Sequence, residues 1–129
     1  MLTPMLSVHD VPATSTWLQT LFGLTSVHGG PDFEMLAGSS GRVVLWLHAQ
    51  DADHEHGDLL AGELTTVGQG VIFYIQVVDL VAARERASDL GATIVEELHV
   101  NLLAGFSEFT VTGSHGFRFA AHSKSSYGR

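Results

Sequence analysis

The stretch MLSVHDVPATSTWLQTLFGL, residues 5–24, decides how this chain is read, because it returns as YIQVVDLVAARERASDLGA at residues 74–92. Each copy passes from a half-apolar strand to an Asp, then through a helical pattern to a Gly. At an offset of 69, Val8 matches Val77, Asp10 matches Asp79, Ala13 matches Ala82 and Leu21 matches Leu90. Asp10 stands where a helix N-cap is expected, and Pro12 is tolerated in the first turn. Ala13, Trp17, Leu18, Leu21 and Phe22 recur at spacings of three and four, which predicts one buried helical face stopped by a left-handed Gly23. In the second copy Ala83, Ala87 and Leu90 form the inward side, and Arg84, Glu85, Arg86 and Asp89 the outward one. The chain is two halves of one plan.

Outward from the repeat, β-like segments fall at 2–8, 24–28, 33–37 and 42–48 in the first half, with turns at Gly29-Gly30-Pro31-Asp32 and Gly38-Ser39-Ser40-Gly41. The second half repeats the order: strand 71–78, helix 80–90, then strands 93–98, 106–112 and 117–122. One domain is expected, with module one at 1–49, a linker at 50–69 holding a helical turn near 59–64, module two at 70–123 and a polar tail at 124–129. Each module reads βαβββ, with its helix covering one sheet face. The fold class is α+β, two βαβββ modules whose curved mixed sheets enclose a cleft lined by alternate strand residues.

Composition narrows the function. With 45% hydrophobic residues in 129, the chain has material for a real core. Its longest apolar runs fall far short of the roughly 20 residues of a membrane span, and the start lacks the pattern of a signal peptide. A cytoplasmic protein is therefore expected, and the absence of cysteine fits this while excluding disulfides, thiolate metal sites and cysteine nucleophiles. Six basic residues against fourteen acidic ones give a formal charge of −8, so nucleic acid and anionic membranes are not expected partners.

The double plan, with Asp10/Gly23 and Asp79/Gly91 as its punctuation, resembles the vicinal-oxygen-chelate superfamily of glyoxalases, bleomycin-resistance proteins and extradiol dioxygenases. The segment GFSEFTVTGSHGF, residues 105–117, is similar to the family's closing strand, turn and strand, although only Gly116 remains of the usual turn. The resemblance implies a metal held by the first and last strands of each module. The first-strand ligand would stand seven residues before the Asp, where this chain has Thr3 and Ile72; the last-strand positions hold Trp46 and Ala120. Divalent ions of this kind need carboxylate or imidazole donors. No cofactor is therefore expected, and the closest pattern is the metal-free, bleomycin-resistance-like branch.

Alternation anchored at those four positions puts Trp46, His48, Tyr74, Gln76, Arg118 and His122 among the cleft residues, and these are the candidate ligand-binding set. Trp46 offers a flat surface to a planar ligand or packs as a core residue. Arg118 either binds a ligand carboxylate or phosphate or pairs with Glu108 on the neighbouring strand. His48 and His122 either carry protons or line the pocket. Tyr74 and Gln76 supply hydrogen bonds. Asp51, Asp53, His54, Glu55, His56 and Asp58 read as a solvated acidic linker that would bind transition metals adventitiously. The function expected is binding or sequestration of a small organic ligand by a homodimer. The alternative is a glyoxalase-like lyase or isomerase, or a dioxygenase, with a displaced divalent-metal site built from His48 and His122 with Glu108. A filled cleft serving as an interaction domain is a third reading.

Overall fold

The computed structural model describes residues 2–49, 71–103, 105–113 and 116–123. The chain divides into two compact units, Met1–Thr65 and Thr66–Arg129, and each carries one copy of the plan. The first unit contains β1 (Met5–Val8), α1 (Val11–Phe22), β2 (Thr25–His28), β3 (Phe33–Ala37) and β4 (Val43–Ala49). Its sheet order is β1-β4-β3-β2, with β1 parallel to β4 and the other pairs antiparallel. The second contains β5 (Ile72–Gln76), α2 (Leu80–Asp89), β6 (Thr93–Asn101), β7 (Phe106–Thr112) and β8 (Arg118–His122), ordered β5-β8-β7-β6. Again only the first and last strands run parallel. The α+β reading with two mixed βαβββ sheets holds.

Both helices begin as their sequences dictate. Asp10 Oδ1 accepts from Ala13 N at 2.9 Å, and Asp79 Oδ1 accepts from Ala82 N at 3.0 Å, each cap having extended backbone. Gly23 at φ 72° and Gly91 at φ 67° take the left-handed conformation that ends the helical phrase, one that a Cβ would strain.

Each helix lies on one face of its own sheet. In the first unit Val11, Leu18, Leu21 and Phe22 of α1 are buried, as are Leu6, Val8, Leu36, Leu45 and Leu47 of the strands. The same helix-covered side holds a carboxylate: Glu34 is buried and accepts from Ser15 Oγ at 2.7 Å and from Ser26 Oγ at 2.8 Å. In the second unit Ala83 and Ala87 bring α2 close to the layer containing Phe109, Val111, Phe119 and Ala121. Arg84 holds Glu97 of β6 through both carboxylate oxygens. That hydrogen bonding, helped by Leu98 N–H, draws the Glu97 carboxyl down to about 2.

Several expectations shift. Ala13 is exposed and Thr14 and Ser15 take its place on the buried face, because α1 starts at Val11 and turns its helical stripe accordingly. Leu90 is 39% exposed, since α2 ends at Asp89 and the chain leaves the helix there. β1 begins at Met5, not residue 2, and β6 runs on to Asn101 because β7 supplies pairing as far as Phe106. The expected linker, its helical turn, the Asp51 to Asp58 string and the tail at 124–129 lie outside the described residues. Among the described residues no helix is long and apolar enough to cross a membrane.

Candidate functional site

The helix-free face of the second unit gathers polar and aromatic side chains from four strands. At its centre is Glu108 on β7, 3% exposed. Tyr74 Oη on β5 donates to Glu108 Oε2 at 3.2 Å, and Asn101 Nδ2 on β6 donates to Oε1 at 2.9 Å. His99 Nε2 lies 3.8 Å from Oε2. His122, directly opposite Glu108 on β8, stacks at a tilt on Phe106 with ring centroids 4.7 Å apart, and Tyr74 meets both rings edge-on. The result is a carboxylate framed by three rings.

Strand alternation explains most of this grouping. Tyr74 lies opposite Ala120, Gln76 opposite His122, and Thr110 opposite Ala120, so these residues share a face. His99 joins them by a different route. Glu96 pairs with Thr110 and His99 with Glu108, three residues of β6 spanning two of β7. β6 has two such shifts, the first between Ile94 and Glu96 and the second between Glu96 and His99, and together they put Glu96 and His99 on the same side.

The site's charge acts on Tyr74. Partial burial, then the charge of Glu108, its hydrogen bond and the charge of Glu96 all raise the phenol above its ordinary range. His122 Nδ1 sits 2.7 Å from Ser123 O. A carbonyl only accepts, so Nδ1 carries the proton and Nε2 has the lone pair.

In the first unit the corresponding face carries Met5, Ser7, Phe33, Met35, Trp46 and His48, paired as Met5 with Trp46 and Ser7 with His48. Trp46 meets Phe33 edge-on at 5.8 Å, and its Nε1–H is buried with no hydrogen-bond partner among the described residues. His48 is buried, with Nδ1 2.8 Å from Ala49 O, the same backbone arrangement as His122 at the end of the matching strand.

Of the six sequence candidates, Tyr74 and His122 come together around Glu108 in the second unit, with Gln76 opposite His122; Trp46 and His48 lie two residues apart on β4 of the first unit. Arg118 is exposed at the other end of β8, opposite Thr112 and Ile72. The expected Arg118–Glu108 pair does not form: Glu108 faces His122, four residues and roughly 13 Å along the strand. Reading by alternation missed Glu96, His99, Asn101 and Phe106. The polar run Glu96, Glu97, His99 and Asn101 in a strand expected to stop at 98 was the signal available.

The metal positions implied by the resemblance do not fit an ion. Ala120 is buried beside Tyr74 and Thr110, Ile72 lies opposite Arg118, and Trp46 lies opposite Met5, so none of the three offers a carboxylate or imidazole; Thr3 before β1 offers only a hydroxyl.

No family model and no curated protein matches this chain in sequence. Solved structures match it in fold. A glyoxalase-related enzyme from Fulvimarina pelagi is 15% identical with TM-score 0.74, over 96% of this chain and 87% of that one. A glyoxalase/bleomycin resistance protein/dioxygenase family enzyme from Burkholderia phytofirmans is 15% identical with TM-score 0.74, over 94% and 95%. TioX from a Micromonospora species is 16% identical with TM-score 0.66, over 96% and 95%. The chain has the glyoxalase/bleomycin-resistance fold, the architecture of the vicinal-oxygen-chelate superfamily that its repeat resembles.

Proposed function

We propose that the chain binds a small organic molecule, holding or sequestering it without the metal chelate of its fold family. The observation that carries this reading is the helix-free face of the second unit: a buried carboxylate with neutral donors, Tyr74 and Asn101, beside the rings of Phe106 and His122. Apolar rings with a few fixed polar groups are what small-ligand sites are made of. Tyr74, Gln76, His122 and, at the strand's far end, Arg118 are the contacts proposed there; Trp46 and His48 offer a similar surface on the first unit. The same reading takes the protein as a cytoplasmic homodimer, a state implied by the resemblance and removed by light scattering that gives a monomer at micromolar concentration.

A thermal-shift screen of organic molecules, run with and without chelator, tests the reading. Stabilisation that persists in chelator and is lost in Tyr74→Phe and His122→Ala supports it. Stabilisation that appears only with added divalent metal overturns its metal-free part.

A second reading, a lyase, isomerase or dioxygenase with a displaced metal, is favoured by a specific grouping. The donors that converge on Glu108 in the second unit are Glu96 and His99.

A further inference from the structure

We propose that Glu96, His99 and Glu108 form a binding site for one divalent first-row metal ion at the β6–β7 edge of the second unit. This is away from the first and last strands on which the fold family holds its metal. Each residue offers one donor atom, and the three atoms lie within 4.8 Å of one another. Imidazole nitrogen and carboxylate oxygen bind such ions at about 2.0–2.2 Å, so small rotations of the two exposed side chains bring all three donors onto one ion.

His99 is set up as a ligand by its own backbone. Its Nδ1 lies 2.8 Å from the Glu97 carbonyl, which only accepts, so Nδ1 donates there and Nε2 is the ring nitrogen turned to the site. Nε2 faces Glu108 Oε2 at 3.8 Å. A metal-binding imidazole is ordinarily oriented in this way, its second nitrogen donating to a carbonyl.

Glu108 supplies a buried carboxylate. The donors that solvate it, Tyr74 and Asn101, are neutral. A buried charge of this kind is costly without a counter-charge. Glu96 places a second negative charge on the same face, while Arg118 stands at the far end of β8 and Arg84 is engaged by Glu97 on the helix side. Two carboxylates and one neutral imidazole match a dication. The register shifts in β6 put Glu96 and His99 on one side, and bulges commonly re-aim side chains at sites. With no thiolate present, the donor set selects Mn, Fe, Co, Ni or Zn over soft ions, and three protein donors leave coordination positions open to solvent or substrate.

The inference shares Glu108 with the organic-ligand site but is tested separately from it, because the probe is the metal alone. Untagged, chelator-stripped protein is titrated calorimetrically with Zn²⁺ and with Co²⁺, the latter followed also by its visible spectrum. One ion per chain is expected. His99→Ala should weaken binding by about tenfold or more and abolish the bound-cobalt spectrum, and Glu108→Gln should do the same. His99 is exposed, so its variant keeps the test decisive if the buried Glu108 variant does not fold. The double variant His54→Ala/His56→Ala, which disables the acidic linker, should retain the ion. Absence of stoichiometric binding overturns the proposal. Binding that survives His99→Ala but vanishes in the linker variant overturns it equally, assigning the ion to the linker.

Discussion

Burying Glu108 under two neutral donors governs how its neighbours ionise, and Tyr74 is the one that reports it. Its phenol is 47% exposed yet held above the ordinary value of 10.0, first by partial burial, then by Glu108 through charge and hydrogen bond, then by Glu96. A raised phenol pKa means that the folded state keeps the proton longer than the unfolded chain. The stabilisation this represents is intact below the ordinary value and is lost as pH rises through the folded one. In an alkaline ultraviolet titration of the folded protein, Tyr74 should therefore ionise late. Tyr74→Phe should remove that late step and leave the step of Tyr127, the other tyrosine. Loss of an ordinary step instead would mean that the Glu108 contact is not maintained in solution. Residue chemistry of this kind was only half legible in the sequence. Tyr74 and His122 could be placed on the open face by alternation, but Glu108 was read as a partner for Arg118, and a strand-register difference of four residues separates the two.

At the scale of elements the repeat is a physical statement as well as a pattern. The two Asp caps have nearly the same backbone, φ −130° and ψ 99° at Asp10 against φ −125° and ψ 100° at Asp79, and each accepts from the third residue on. Asp10→Ala and Asp79→Ala should each cost about 1 kcal/mol, read as a lower urea midpoint with an unchanged slope. A cost confined to one of them would show that the copies are not energetically equivalent. The helices and the succession of strands in both modules were readable because caps, left-handed Gly stops and apolar periodicity are local signals. β6 was not. Its register shifts depend on how it pairs with β7, and a one-residue slip reverses every side chain beyond it. Glu96 and His99 were absent from the candidate set because that set was drawn from the first and last strands of each module, and β6 is neither.

For the whole molecule the dominant property is charge. The formal charge is −8 with the histidines neutral, and protonating all eight would cancel it. The sequence pI is about 5.3, so repulsion between molecules weakens as pH falls toward it. Static light scattering should show an interaction parameter that turns from repulsive toward attractive on acidification to that pH and recovers on return to neutral pH. A chain that stays equally repulsive throughout would show that net charge does not govern its self-association. The sequence by itself determined the architecture of this protein: a strand, Asp, helix and Gly phrase written twice, followed each time by three strands. These features follow from interactions between residues close along the chain. With the resemblance as guide, counting from Asp10, Asp79 and Gly116 also put Thr3, Ile72 and Ala120 at metal positions of the fold family, with the fourth falling near Trp46. Only the tertiary structure decided which polar groups meet. Glu108, Tyr74, Asn101, His99 and Glu96 are separated by up to 34 residues and come together through strand register, a bulge and burial, none of which any single stretch of sequence specifies.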